Sequence, residues 1–281
     1  MTEAMVEEVN AVVLPEPGDA QAVISLQDAT PEVSEEIRSR MAEIDMGDTN
    51  SIVSFGSNAQ AELVFDEGEG LAAADTSGGG YNGKLIDGAV FSTSEKKFGA
   101  ASMRIKTNKS KARLRVEPDG VSLGSLHNAN FSISVWFKKL YGTATWRTLT
   151  RGKNNHHQLI VKNNNDQVGV YANGNGNYRS AGFNMPAADS ASSWHHIVAV
   201  SDGGANKTFI YLDGVLKGNT DRSTGETIYT VGNHSSGGQR FAESLDDVRI
   251  YGVVLTDQEI AGIYNGGFGD FGLVANISAS K

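Results

Sequence analysis

The chain has 281 residues, a hydrophobic content of 39% and no cysteine. This length suits one large β domain with an extension, or two small domains. The missing cysteines exclude disulfide bonds. No apolar run approaches the length of a membrane-spanning helix, so we expect no membrane insertion.

The net charge of −9 is concentrated in residues 1–60, which contain 12 acidic and 2 basic residues. Residues 61–281 contain 21 acidic and 22 basic residues, so this larger part is nearly neutral. It has no broad basic face, and we expect no binding to nucleic acid. The start, MTEAMVEEVNAVV, lacks the basic and apolar regions of a signal peptide, which predicts synthesis in the cytoplasm.

Residues 1–60 are predicted to form an acidic arm with one amphipathic helix. Thr30 is a suitable N-cap, and apolar residues recur at helical spacing over Pro31–Ile44. The stretch IRSRMAEIDMGDTNSIVSFGSNAQAEL resembles the opening of toxic-anion (tellurite) resistance proteins, but the long helical body of that family is missing. We therefore expect an element for anchoring or assembly, with homo-oligomerisation through this arm.

From Ala61 onward, short alternating apolar runs are separated by Gly, Asn and Asp, which predicts an all-β sandwich. In FSISVWFKK (131–139), the apolar residues at 131, 133, 135 and 137 are predicted to share one face. The Asp213-Gly214 dipeptide predicts a type I′ hairpin turn. Other predicted strand regions are LVFDEGEG (63–70), KFGAASMRIK (97–106), SWHHIVAVSD (193–202) and TFIYLDGVLKG (208–218).

The stretch ESLDDVRIYGVVLTDQEIAGIYNGG (243–267) predicts a strand followed by a short helix. Thr256 and Glu259 have the spacing of a capping box, and the apolar residues Ile260, Ile263 and Tyr264 define one helical face. Gly266 and Gly267 are predicted to end the helix.

These motifs, taken in order over residues 63–267, resemble the laminin-G-like jelly rolls of the concanavalin A-like superfamily. The resemblance implies a jelly-roll β-sandwich of two antiparallel sheets. The predicted organisation is an arm at 1–60, the jelly roll at 61–267 and a C-terminal extension at 268–281. The extension is expected to add an edge strand or to dock on a neighbour.

The resemblance further implies a structural calcium ion where the Gly-rich loop Asp75–Gly83 meets an acidic step near the end of the domain. By this comparison, the ligands would be Asp75, Asn82 and one of Asp246 and Asp247. Calcium binds six to eight oxygen ligands, which carboxylates, amides and backbone carbonyls supply. In the alternative interpretation, Asp75 caps a turn and Asp246 pairs with a lysine or an arginine.

Aromatic and amide side chains in the Asn-rich loops predict glycan binding. Amides bond to sugar hydroxyls, and aromatic faces cover the apolar side of a pyranose. The alternative is that these residues only form ordinary hairpin loops. The candidate ligand-binding residues are Trp146, His156, Asn163, Asn165, Tyr171, Asn175 and Tyr178. His156-His157 is placed in a loop, whereas the strand pair His195-His196 is expected to serve packing.

No pair of carboxylates has the E-x-D-x-x-E spacing of the related laminarinase-type glycosidases, so we do not expect an enzyme. The predicted function is a non-catalytic binding or adhesion module with lectin-like glycan recognition. The alternative is a structural virion protein, such as a phage capsid decoration or fibre subunit. A polysaccharide-active enzyme is a minor alternative. The expected partner is a glycan or a particle-surface protein, at a virion surface or an extracellular surface.

Overall fold

A computed structural model describes residues 52–53, 59–125, 128–142, 144–173, 177–185, 192–266 and 275–276. The chain divides into a larger unit, residues 58–269, and a smaller unit that contains residues 1–57 and 270–281. In the smaller unit, β1 (Ile52–Val53) pairs antiparallel with β19 (Ala275–Asn276). The predicted helix Pro31–Ile44 lies outside the described residues.

The larger unit contains two antiparallel sheets, with strands numbered in chain order. The nine-stranded sheet has the order β13-β12-β11-β10-β17-β7-β4-β3, and β8 also pairs with β17. Its strands are β3 (Ala72–Ala73), β4 (Gly83–Ile86), β7 (Arg113–Val116), β8 (Val121–Ser122), β10 (Arg147–Gly152), β11 (His157–Val161), β12 (Gln167–Ala172), β13 (Asn177–Asn184) and β17 (Thr227–Val231).

The eight-stranded sheet has the order β16-β15-β14-β9-β18-β6-β5, and β2 also pairs with β18. Its strands are β2 (Ala61–Leu63), β5 (Ala89–Ser92), β6 (Ser102–Ile105), β9 (Phe131–Leu140), β14 (His195–Asp202), β15 (Lys207–Leu212), β16 (Val215–Thr220) and β18 (Ala242–Tyr251). The two sheets enclose the main hydrophobic core. This arrangement confirms the predicted jelly-roll β-sandwich.

Successive side chains of β9 point alternately to the core between the sheets and to the outer face of the eight-stranded sheet. Phe131, Ile133, Val135 and Phe137 all belong to the core between the sheets, as predicted. Trp136 is also buried but points to the opposite, outer face, where its ring stacks on Tyr264 at a centroid distance of 5.5 Å.

The outer face of the eight-stranded sheet is covered by the single helix among the described residues, α1 (Asp257–Gly266). The predicted capping box is confirmed, because Glu259 N–H donates to Thr256 Oγ1 (3.2 Å) and Thr256 N–H donates to Glu259 Oε2 (2.6 Å). Ile260 and Ile263 are buried in a second apolar cluster with residues of β14, β15 and β18. No described helix has the length and apolar character needed to span a membrane.

Two predictions about local structure have different outcomes. The β15–β16 hairpin turns at Asp213 (φ 53°) and Gly214 (φ 74°), as a type I′ turn requires. The region 97–106, which was predicted to contain a pair of strands, contains only the strand β6, because residues 97–101 form a loop before it.

Candidate functional site

A cleft of about 220 Å³ lies on the outer face of the nine-stranded sheet. Leu149, Leu159 and Val168 point from β10, β11 and β12 into the core. His157 and Ile160 line the cleft instead. Residues three apart on a regular strand face opposite sides, but the β11–β12 register shifts between these two positions. This irregularity brings both side chains to the cleft.

Aromatic rings form one side of the cleft. Trp146 and Tyr171 line it, with their ring centroids 5.7 Å apart and their planes at 83°. Tyr178 lies behind them, 5.3 Å from Trp146, and its hydroxyl donates to Gln167 O (2.7 Å). Burial raises the pKa of Tyr178 to about 12, so this hydroxyl keeps its proton. The nearly perpendicular rings of Trp146 and Tyr171 provide two adjacent apolar faces.

A hydrogen-bond network forms the polar side. Arg151 Nη1 donates to His157 Nε2 (2.9 Å), and Arg151 Nη2 donates to Asn155 Oδ1 (2.5 Å). Since His157 accepts at Nε2, its proton is assigned to Nδ1, which lies 3.3 Å from Thr148 Oγ1. Thr148 Oγ1 in turn donates to Gln239 Oε1 (2.7 Å). Three segments of the chain are thereby linked beneath the cleft.

The loop 232–241, between β17 and β18, supplies His234 and Gln239 to the cleft. Thr148 N–H donates to Gln239 O (2.8 Å), which fixes this loop beside β10. The His234 ring lies 6.1 Å from that of His157. Asn173, which directly follows β12, completes the polar lining.

The titratable groups of the cleft leave it with one positive charge at neutral pH. Burial, with a further contribution from Arg151, lowers the pKa of His157 well below 6.5 and that of His234 to about 4. Both imidazoles are therefore neutral at pH 7. Burial also lowers the pKa of Arg151, although a guanidinium keeps its charge. No carboxylate is among the described residues that line the cleft.

The structure brings only some of the predicted ligand-binding residues to this cleft. Trp146 and Tyr171 line it, and Tyr178 supports Trp146. Asn163 and Asn165 lie in the turn between β11 and β12, away from the His157 end of β11, and they do not line it.

The predicted loop placement of His156-His157 is wrong for the second residue, because β11 begins at His157. His157 therefore lines the cleft. His156 is buried and does not line the cleft, and its backbone N–H donates to Glu226 Oε2 (3.0 Å). Asn175 lies outside the described residues. Asn173 begins one of the Asn-rich loops considered for sugar binding, whereas no sequence pattern predicted Arg151, Ile160, His234 or Gln239 as part of the site.

The predicted calcium ligand Asp75 organises its own loop by accepting hydrogen bonds. Asp75 Oδ1 accepts from the N–H groups of Glu62 (2.9 Å) and Ser77 (3.0 Å) and from Ser77 Oγ (2.6 Å). Asp75 Oδ2 accepts from Tyr81 N–H (2.8 Å), and Asn82 Oδ1 accepts from Asp75 N–H (2.9 Å). Burial raises the pKa of Asp75, but these hydrogen bonds outweigh it and hold the pKa below 3.8.

The other predicted calcium ligands, Asp246 and Asp247, also have polar partners within the fold. Asp246 Oδ2 accepts from the N–H groups of Lys97 (2.7 Å) and Phe98 (3.2 Å), and Asp246 Oδ1 accepts from Asp247 N–H (2.9 Å). Asp247 Oδ1 pairs with Arg249 Nε at 2.9 Å. Burial raises the pKa of Asp246 to about 7 and that of Asp247 to about 6.

The predicted calcium ligands are already engaged within the fold. Among the described residues, no three His, Cys, Asp or Glu side chains lie together in a group that could hold a metal ion. The oxygens of Asp75 and Asp246 already accept from N–H and O–H donors, and a cation would compete for the same lone pairs. Calcium binding stays a prediction, which thermal melting with and without chelator tests.

The predicted packing role of the second histidine pair is confirmed. His196 is fully buried, stacks on Trp136 at 5.0 Å and contacts Ser134 Oγ through Nε2 at 2.7 Å. His195 Nδ1 lies 2.8 Å from Asp213 Oδ2 in the β15–β16 turn. Their side chains contact different partners, as adjacent strand positions require.

A family model of laminin-G-like domains, described as the concanavalin A-like lectin/glucanases superfamily, matches residues 107–261, more than half of the chain. The chain therefore belongs to that superfamily. No curated protein sequence matches it. The resemblance noted over residues 63–267 is thus confirmed at the level of the superfamily.

Similar solved structures support the fold. The botulinum neurotoxin serotype D ligand-binding domain in complex with N-acetylneuraminic acid aligns with a TM-score of 0.56 and 16% identity, covering 75% of this chain and 52% of that one. Domain 4 of AbnA, a GH43 extracellular arabinanase from Geobacillus stearothermophilus, in complex with arabinotriose, aligns with a TM-score of 0.54 and 17% identity, covering 75% and 100%. The chain spans about half the length of the neurotoxin chains that it matches.

Proposed function

We propose that the chain is a non-catalytic carbohydrate-binding module, and that the cleft on the outer face of the nine-stranded sheet is its glycan site. The observation that carries this proposal is the combination, in one cleft, of two aromatic faces with two side-chain amides. Trp146 and Tyr171 offer apolar faces for a sugar ring. Asn173 and Gln239 offer amide groups that donate to and accept from hydroxyls.

The size and the lining of the cleft agree with this role. Its volume of about 220 Å³ is below the roughly 300–1,000 Å³ of sites for drug-sized ligands. We therefore expect it to hold one terminal sugar residue of a longer glycan. The solved structures that resemble the chain include domains in complex with arabinotriose and with N-acetylneuraminic acid, which supports a sugar as the class of ligand.

The lining of the cleft supports binding without hydrolysis. Most glycosidases need two carboxylates beside the scissile bond, one of them as general acid, and the described lining contains none. We expect no release of reducing ends from glucans above the buffer background. Release that is lost on mutation of an Asp or Glu would contradict the proposal and favour the polysaccharide-active alternative.

The binding proposal is tested by a glycan array followed by calorimetry on the best ligand. Trp146→Ala is expected to weaken binding at least about tenfold, equivalent to about 1.4 kcal/mol, because the main apolar face is removed. Trp194→Ala is the matched control, since Trp194 precedes β14 in the other sheet. Equal effects of the two substitutions, or no effect of Trp146→Ala, would contradict the proposed site.

The particle-surface alternative depends mainly on the N-terminal arm, of which the structure describes only residues 52–53 and 59–60. It therefore stays a prediction, together with homo-oligomerisation through that arm. Glycan binding and a role at a particle surface are compatible in one protein, because the cleft belongs to the larger unit and the arm belongs largely to the smaller unit.

A further inference from the structure

We propose that the ligand of this cleft is an acidic glycan, whose carboxylate accepts hydrogen bonds from Arg151. This inference rests on the proposed glycan site and specifies the class of sugar that binds there. Its basis is a buried cation that the described part of the chain does not pair with a carboxylate.

Arg151 lines the cleft and has only 6% of its surface exposed. Its Nη1 and Nη2 donate to His157 and Asn155, both of which are neutral acceptors. Its Nε is buried and has no hydrogen-bond partner among the described residues. Nη1 and Nη2 each carry a second N–H, so the described contacts use only two of the five N–H donors of the guanidinium.

The other two buried arginines show the usual arrangement. Arg147 pairs with Asp166, and Arg249 pairs with Asp247 and Glu62. A buried charge is costly unless it is paired, so such partners are expected. Within the described residues, Arg151 is the buried arginine without an ion pair.

The carboxylate of Glu226 acts on Arg151 only at longer range. Its charge favours the protonated guanidinium, but its oxygens accept from the backbone N–H groups of Asn154 and His156. Glu226 thus shapes the turn between β10 and β11 and forms no direct bond to Arg151 among those described. The positive charge of Arg151 remains largely available to a ligand.

The neighbouring imidazoles respond to this charge. Arg151 contributes to the lowered pKa values of both His157 and His234, which are neutral at pH 7 and supply no negative charge. A carboxylate matches the planar guanidinium in geometry and forms charge-assisted hydrogen bonds with it. Among sugars, uronic and sialic acids carry such a group.

The test compares acidic sugars with neutral counterparts, using the full-length chain and calorimetry. The first pair is tetragalacturonate and its methyl ester, which keeps the rings and removes the charge. The second pair is sialyllactose and its methyl ester, which again keeps the rings and removes the charge. We expect the acidic member of at least one pair to bind tenfold or more tightly than its neutral counterpart at 50 mM salt. This preference should shrink at 500 mM salt, because ions screen the charge.

Arg151→Gln is expected to abolish the preference for the acid over its neutral counterpart. Arg151→Lys keeps the charge and should retain part of the preference. Arg179→Gln, which removes an arginine paired with Asp221 in the same sheet, is the control and should retain all of it.

The outcomes separate this inference from the proposed function. If the unmodified chain binds the acidic and the neutral sugars equally well, the acidic-glycan inference is wrong. The proposed glycan site is still supported in that case if Trp146→Ala weakens binding of the neutral sugar. A preference for the acid that survives Arg151→Gln also overturns it. If no member of either pair binds, the acidic-glycan inference is wrong, whereas the proposed glycan site is wrong only if the glycan array also yields no ligand that depends on Trp146.

Discussion

Replacing Asp75 by alanine tests whether its loop is held by hydrogen bonds or by a metal ion. The substitution removes an acceptor that three backbone N–H groups and one hydroxyl share, at distances from 2.6 to 3.0 Å. These donors belong to Glu62, Ser77 and Tyr81, so one carboxylate connects β2 to the Gly-rich loop. We expect a clear loss of stability.

The magnitude follows from the number of bonds and their exposure. A hydrogen bond to a charged group contributes about 1.5–3 kcal/mol when it is fully buried. Asp75 is only partly buried, so water replaces part of what is lost, and we expect a total of about 2–4 kcal/mol. For a domain of this size, each kcal/mol shifts the melting temperature by about 2–4 °C. The expected decrease in melting temperature is therefore about 4–16 °C.

The assay is thermal unfolding followed by circular dichroism, with chelator, with calcium and with neither. If hydrogen bonds alone hold the loop, Asp75→Ala should melt at the same reduced temperature in all three conditions, and the unmodified chain should not respond to calcium or chelator. Asp221→Ala is the control, because Asp221 forms an exposed ion pair with Arg179 at 3.1 Å. Exposed ion pairs contribute about 0–1 kcal/mol to stability, so Asp221→Ala should change the melting temperature little.

A different result would refute this reasoning. If chelation lowers the melting temperature of the unmodified chain by several degrees, and added calcium restores it, then a cation holds the loop and the sequence-based prediction is correct. The Asp75→Ala variant would then be insensitive to calcium. A decrease of less than about 2 °C on Asp75→Ala would show that the hydrogen bonds contribute little.

Two further predictions concern titration and domain organisation. His196 and His234 should keep neutral ring signals in an NMR titration down to pH 5, because burial lowers their pKa values to about 3 and about 4. Burial also lowers the pKa of His157 well below 6.5, so its ring should be neutral at pH 6.5. The stability that these histidines contribute is complete above pH 6.5 and is lost progressively as the pH falls below it. The raised pKa of Asp246 acts in the opposite sense, so ring signals are a cleaner test than melting curves, and protonation of all three at pH 6 would contradict the prediction. Residues 58–269 alone should fold as a monomer that has lost any self-association of the full chain. Size-exclusion chromatography and circular dichroism measure this. A truncated chain that fails to fold, or that forms the same oligomers as the full chain, would show that the arm is not a separate element.

The sequence predicted those parts of the fold that local rules determine. The alternation of Phe131, Ile133, Val135 and Phe137 identified the core face of β9, because strand geometry alone places them there. The capping box at Thr256 and Glu259 also depends on neighbouring residues only. The superfamily resemblance then placed these elements in a sandwich.

The sequence predicted the aromatic residues of the candidate site but not most of its polar residues. Trp146 and Tyr171 were found because aromatic residues near Asn-rich loops suggest sugar binding. Arg151, His234 and Gln239 reach the cleft from separate segments, and no local pattern links them. The register shift in β11, which turns His157 to the cleft, also has no simple sequence signal.

The calcium prediction shows a different limit. A Gly-rich loop around an aspartate is expected both for a calcium site and for a turn held by backbone N–H donors. The sequence left both alternatives open. In the structure, Asp75 and Asp246 accept hydrogen bonds from backbone N–H donors, whereas Asp247 Oδ2 is buried without a described hydrogen-bond partner.

The central claim is that a glycan binds in the cleft beside Trp146, and the indole N–H signals of the three tryptophans test it most directly. Trp136 is buried under α1 and Trp194 precedes β14, so only Trp146 lines the cleft. On titration with a glycan whose binding calorimetry has established, only the Trp146 signal should shift, and it should saturate with the same affinity. A shift at Trp194 instead, or three unchanged signals at saturation, would contradict the account.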